Sequence, residues 1–153
     1  MLAAALAMVV MGITAAGYQM WMHGTTPVLA AVRFEVRLAE DQPIPGLVVA
    51  RLDSGRVIYL HPEIVVSNDD IAQSWVSEDG PNQFGIAVQL LPSGAERMRQ
   101  ATTTHVGRPM AILLDGHVVM APVVRAPIGD SAVITGYYSR VEAERIADGM
   151  RLR

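Results

Sequence analysis

The chain has 153 residues, 51% of them hydrophobic, enough for one domain that buries roughly two-thirds of the surface its unfolded chain exposes. Its twelve cations, all arginine, stand against fifteen carboxylates for a formal net charge of −3, and with 5% aromatic residues and no basic run the balance argues against a nucleic-acid partner. Cysteine is absent, which excludes disulfides, thiolate metal sites, a cysteine nucleophile and a lipid-modified N-terminal cysteine.

Residues 1–22 carry no charged side chain, and the first in the chain is Arg33. At a rise of ~1.5 Å per residue such a helix spans roughly 33 Å, enough for the ~30 Å hydrocarbon layer. The basic start of a signal peptide is missing, and Tyr18 and Trp21 stand where an aromatic belt would sit, so an uncleaved transmembrane anchor is the first expectation. A signal segment cleaved after Ala16 or Ala30 is the second, and a helix buried in a soluble domain the third. The first two export the rest of the chain. Residues 23–31, with Gly24 and Pro27, read as a linker, and residues 32–153 as the folded domain.

Within that domain Phe34 to Ala39 alternates apolar and polar residues, the period of a strand with one wet face. Two further strands, Leu47 to Leu52 and Val57 to Leu60, flank the hairpin loop Asp53-Ser54-Gly55. Ser67-Asn68-Asp69-Asp70 reads as a capped helix start, with Ile71, Ala72, Trp75 and Val76 on one face and Gly80-Pro81-Asn82 as the stop. Phe84 to Leu90 alternates again as a strand. Ser93 and Glu96 are spaced as a capping box for a helix that turns Ala95, Met98, Ala101 and Thr102 inward and ends near Gly107.

Met110 to Leu114 and Val118 to Ala121 flank Asp115-Gly116, the chemistry of a two-residue type I′ hairpin, and Pro122 and Pro127 forbid a long central continuation. Ala132 to Gly136 predicts a strand. Ser139 and Glu142 predict a capping box for a last helix that buries Ala143, Ile146, Ala147 and Met150. Hairpins outnumber crossover units, so the expected fold is α+β: one mixed or antiparallel sheet with helices packed on one face.

The densest group of candidate ligands is His61, Glu63, Asp69 and Asp70, the basis of a metal-dependent enzyme reading. Against it, the zinc deaminases that share H-x-E also need a cysteine pair, no H-E-x-x-H occurs, and Asp in a first helical turn is accounted for by the macrodipole. His105 is expected to serve the C-terminal end of its helix, and Asp115 beside His117 to serve the turn and not a catalytic dyad. Phosphate-loop, dinucleotide and nucleophile-elbow motifs are all missing. Met98, Met110, Met120 and Met150 read as core filling, as does Trp75, which if exposed would anchor a binding surface. No catalytic residue, cofactor or metal is expected, and no binding residue is identifiable.

Val88-Gln89-Leu90 before Ser93-Gly94-Ala95, Thr102 to Gly107, Ala111-Ile112 with Leu114-Asp115-Gly116, Ala121-Pro122, Ile134-Thr135-Gly136 and Glu142-Ala143 resemble the head of the first periplasmic domain of SecD and SecDF. The resemblance is dense from Gln83 onward and thinner upstream, at Ser67 to Ala72. It implies an α+β head on the outer membrane face that contacts emerging polypeptide, and it supplies no catalytic residues. The family's charged membrane bundle, where buried charges are costly and functional, has no counterpart in the uncharged residues 1–22, so its proton coupling does not carry over. The expectation is an exported, membrane-anchored, non-enzymatic module that binds unfolded or emerging polypeptide or an envelope protein partner, accessory to export. Its rivals are a structural domain of an envelope assembly and, third, the metal-dependent enzyme.

Overall fold

A computed structural model describes residues 30–151. The expected anchor, 1–22, and the linker up to residue 29 lie outside the described residues. Among those described, no helix is long and apolar enough to cross a membrane.

Strand β1 (Phe34–Glu40) organises the larger of two sheets, because its neighbours on both sides come from distant parts of the chain. The β2–β3 hairpin (Val48–Arg51, Val57–Leu60) closes on a loop whose Gly55 has φ +86°, and β3 pairs with the end of β1 through Ala39 and Leu60. The short β4 (Val66–Ser67) pairs with the start of β1. On the other side β1 runs antiparallel to β7 (Met110–Leu114), which turns through Asp115 (φ +50°) and Gly116 (φ +83°) into β8 (His117–Met120). Positive φ at both turn positions is the type I′ geometry that Asp-Gly predicts. The turn does more than reverse the chain: Asp115 Oδ1 accepts the Arg33 N–H at 2.8 Å, pinning the entry to β1.

The second sheet has three strands in the order β5–β6–β9 (Ile71–Glu78, Phe84–Leu90, Ser131–Tyr138), all antiparallel. The single expected sheet is therefore two. Pairing runs on past Pro122, whose carbonyl accepts the Met110 N–H at 2.9 Å, through a Pro109–Val123 bridge to Val124; the backbone before Pro127 is then restricted, and the chain crosses to β6 and resumes as β9. Phe34, Val36, Met110 and Ile112 from one sheet meet Ile86, Val88 and Ile134 from the other in the main core. Helix α2 (Arg140–Gly149) covers β5 and β6, and α1 (Pro92–Thr103) lies against β4 and β6. A smaller cluster, Ala39, Ile58, Leu60, Ala111, Leu113, Val118 and Ala121, forms on the opposite face of the larger sheet. This is why the expected wet face of β1 is not wet: Glu35 is only 7% exposed, and Arg33 and Arg37 hold its carboxylate at 3.3 and 2.9 Å.

The expected helix at Ser67 stops after one 3-10 turn, Asn68–Asp70, and the residues after it form strand β5. The start signal is genuine, since Asp70 Oδ2 accepts the Ser67 N–H at 3.0 Å. From Ile71 on, pairing with β6 satisfies the backbone instead, and a register shift between Ile71 and Gln73 disguises the strand period. Trp75 consequently faces outward, 45% exposed, opposite Ala87, and is not core. The Ser93–Glu96 capping box also does not form. Leu91 takes the cap position and Pro92 starts α1 two residues earlier than a Ser93 cap would, where its missing N–H is no loss, and Glu96 pairs with Arg99 and Gln100.

The Ser139–Glu142 box does form: the Glu142 N–H donates to Ser139 Oγ at 3.3 Å, and Ser139 N–H donates to Glu142 Oε2 at 2.9 Å. Hydrogen bonds from the Ser139 backbone and hydroxyl hold the Glu142 carboxyl below its ordinary value of 4.5. A depressed folded-state value means the contribution is fully present above pH 4.5 and is lost as the pH falls through the folded-state value. Ser139→Ala is expected to destabilise the domain by about 1 kcal/mol in urea titrations at neutral pH, with less difference from the parent in acid. An equal difference at both pH values would contradict the reciprocal cap.

Candidate functional site

The structure disperses the candidate ligand group. Asp70 is buried and spends its carboxylate on the Ser67 N–H and the Arg97 guanidinium, while Asp69 and Glu63 are exposed. His61 places Nε2 2.9 Å from Glu40 Oε1. The described residues hold no group of three or more His, Asp or Glu side chains arranged to bind a metal ion. Asp115 is committed to the Arg33 N–H, and His117 is exposed.

Other polar groups that pattern reading missed turn out to hold the backbone together. Glu40, 7% exposed, receives Arg108 as well as His61, each at 2.9 Å on the same oxygen. His105 does not serve the end of α1: it is fully buried, and its Nε2–H is shared between Ala39 O at 2.9 Å and Pro109 O at 3.0 Å. Its ring packs edge-on against His61, with centroids 5.9 Å apart. Asn68 accepts the Phe34 N–H and donates to the Val32 and Met150 carbonyls. These groups anchor strands and helix ends.

One cleft lies beside α1, about 310 Å³ and lined in part by Leu38, His61, Ile64 and Arg97, and another on the three-stranded sheet. The second is half-open, about 500 Å³, and lined by Asp79, Asn82, Gln83, Phe84, Gly85 and the Thr135–Ser139 segment. It exists because β9 is irregular there: Phe84 pairs with Tyr138 and Ile86 with Ile134, which leaves Thr135, Gly136 and Tyr137 as extra length opposite Gly85. Two glycines permit the geometry. A Cβ at Gly136 would sit 2.6 Å from the Tyr138 ring, and one at Gly85 would sit 2.9 Å from Ile134 O and Ser77 Oγ. Tyr137 is fully exposed beside the cleft. Burial pushes the Tyr138 phenol above its ordinary value of 10.0, and the charges of Asp53 and Glu142 push it the same way, so the group remains a neutral hydroxyl at neutral pH. Nothing here resembles a nucleophile with its base; the cleft can bind, through aromatic faces, amides and an acidic rim. An isolated glycine within a strand pattern, as at Gly136, is the sequence signal that would have pointed to it.

Residues 45–152 match the family model for the SecDF P1 head subdomain. The chain is 37% identical over 84 residues to the protein translocase subunit SecD of Rhodobacter capsulatus, covering 54% of this chain and 15% of that protein. It is 40% identical over 84 residues to SecD of Acidaminococcus fermentans, covering 54% of this chain and 20% of the relative. The chain therefore spans a fifth or less of the length of these relatives. A crystal structure of SecDF in a super-membrane-facing form superposes with a TM-score of 0.64 at 24% identity, over 80% of this chain and 19% of that one. A second solved structure, of a SecDF described as a membrane component that enhances protein export, gives 0.63 at 24% identity over 81% and 63% of the two chains; at that identity both show the fold alone. With a family match across most of its length and the fold to go with it, the chain belongs to the SecDF P1 head subdomain family.

Proposed function

We propose that this protein is an exported, non-enzymatic polypeptide-binding module accessory to protein export, held at the outer face of the membrane by residues 1–22. Membership of the head family supports the export context, and the cleft on the three-stranded sheet supports binding over reaction. The single observation that carries it is the irregular end of β9. There the chain has more backbone than β6 can pair, beside a concave aromatic surface, on an outer strand of its sheet. An extended polypeptide can lay its main chain against such a strand and its side chains in the cleft, the mode in which backbone pairing gives affinity without demanding one sequence.

The test is a titration of the full chain with several unfolded secretory polypeptides, followed by fluorescence anisotropy. Saturable binding by unfolded clients, lost when the clients fold, is expected. Indifference to every client while the domain remains folded would remove the proposal, and a single stoichiometric partner co-purifying from membranes would then favour the scaffolding role.

A further inference from the structure

The cleft has a sign as well as a shape. Asp79 is on its wall, and none of the ion pairs among the described residues engages it. The Tyr138 phenol also lines the cleft, and burial first, then the charges of Asp53 and Glu142, push it upward. The surfaces available are aromatic: Phe84, Tyr138 and the exposed Tyr137. Aromatic faces carry a negative quadrupole, and with a carboxylate nearby they favour a cation over an anion.

The protein already shows this chemistry at the rim. The Arg140 guanidinium stacks over the Phe84 ring, 4.7 Å from its centroid, while it pairs with Glu78. That arginine is already engaged by a ring that helps line the cleft. Among the described residues, Tyr137 and Tyr138 have no such cation over their rings and Asp79 is in no ion pair. Thr135–Tyr137 lacks partners on β6 as well, so a ligand that brings its own peptide groups suits the site better than an isolated cation.

We propose that this cleft is a subsite for an arginine or lysine side chain of an extended polypeptide, the cation lying between Tyr137 and Tyr138 with Asp79 as its counter-charge. This inference rests on the polypeptide-binding reading above and adds to it a preference for basic segments. Attraction to the acidic rim would speed capture and would weaken with salt, whereas stacking would persist.

The experiment titrates the full chain with three short unstructured peptides of equal length that differ at one central position: arginine, norleucine or glutamate. The arginine peptide is expected to bind tightest and the glutamate peptide weakest. Tyr137→Ala should weaken the arginine peptide by roughly three- to tenfold, the range of a partly desolvated cation–aromatic contact. Asp79→Asn should erase most of the arginine-over-norleucine preference. Both positions are exposed, so folding is not at stake, and amide shifts at Gly85 and Gly136 on peptide addition would locate the contact. Equal affinity for the three peptides, or binding of acetyl-arginine-amide as tight as that of the peptide, would overturn the inference while leaving polypeptide binding standing. Failure of every peptide to bind would remove the polypeptide-binding reading together with it.

Discussion

A chain that begins at Pro45, without β1, is expected to give no cooperative unfolding transition and no dispersed amide spectrum. Strand β1 is the middle strand of the larger sheet and supplies partners to β3, β4 and β7. Its removal exposes both cores at once, since Phe34 and Val36 belong to the main one and Ala39 to the smaller. The point variant Phe34→Ala separates packing from pairing. Phe34 is 1% exposed, and truncating such a ring costs about 3–5 kcal/mol, a large part of the roughly 5–15 kcal/mol that stabilises a whole domain. The family match begins at residue 45, so a shortened chain that folded normally would show that the matched residues suffice and that β1 is an accessory strand.

Asn68→Ala is expected to destabilise the domain by about 3 kcal/mol in denaturant titrations, three hydrogen bonds at roughly 1 kcal/mol each. The amide ties three separate places together: the start of β1 through Phe34, the approach to it through Val32, and the end of α2 through Met150. Asn68→Asp is the informative companion. It keeps an acceptor for the Phe34 N–H but turns a second carboxylate oxygen toward two carbonyls, so it should not rescue stability. A loss below about 0.5 kcal/mol in the alanine variant would mean water replaces the clasp without penalty.

The two variants also mark how far the sequence can be read. Elements that announce themselves locally came through: Asp115-Gly116 makes its I′ turn, Ser139 and Glu142 make their reciprocal cap, and the i, i+3, i+4, i+7 spacing of α2 buries Ala143, Ile146, Ala147 and Met150. Failures occurred where tertiary pairing overrode a local signal. Ser67 to Asp70 begins as a helix should, but Ile71–Glu78 lies beside β6, and Ser74 is an inward polar residue whose hydroxyl donates to Ala147 O at 2.7 Å. A serine at a core-facing position hides the strand period that Trp75 and Val76 would otherwise reveal.

The candidate binding surface was less legible than the fold for a related reason. A cleft formed by extra length in β9 opposite β6 is a property of two strands in register, and no window of a single strand encodes it. The group His61, Glu63, Asp69 and Asp70 is the converse case, in which adjacency in sequence did not become convergence in space. Glu35 and Glu40 look like solvent-facing charges in the pattern of β1, yet both are buried: Arg33 and Arg37, two residues away on either side, hold Glu35, and the distant Arg108 closes over Glu40. The polar groups of this domain mostly fasten its elements to one another, and the cleft at the end of the three-stranded sheet is instead bordered by strand backbone that β6 does not pair.

The measurement that meets this account most directly is site-specific photocrosslinking during export, with a photoreactive residue at position 137 beside the cleft and a control at position 96 on the exposed side of α1. The account predicts adducts to translocating polypeptide from position 137 and few or none from position 96. Adducts of equal yield at both positions, or none from position 137 while the domain is folded and export is active, would contradict it.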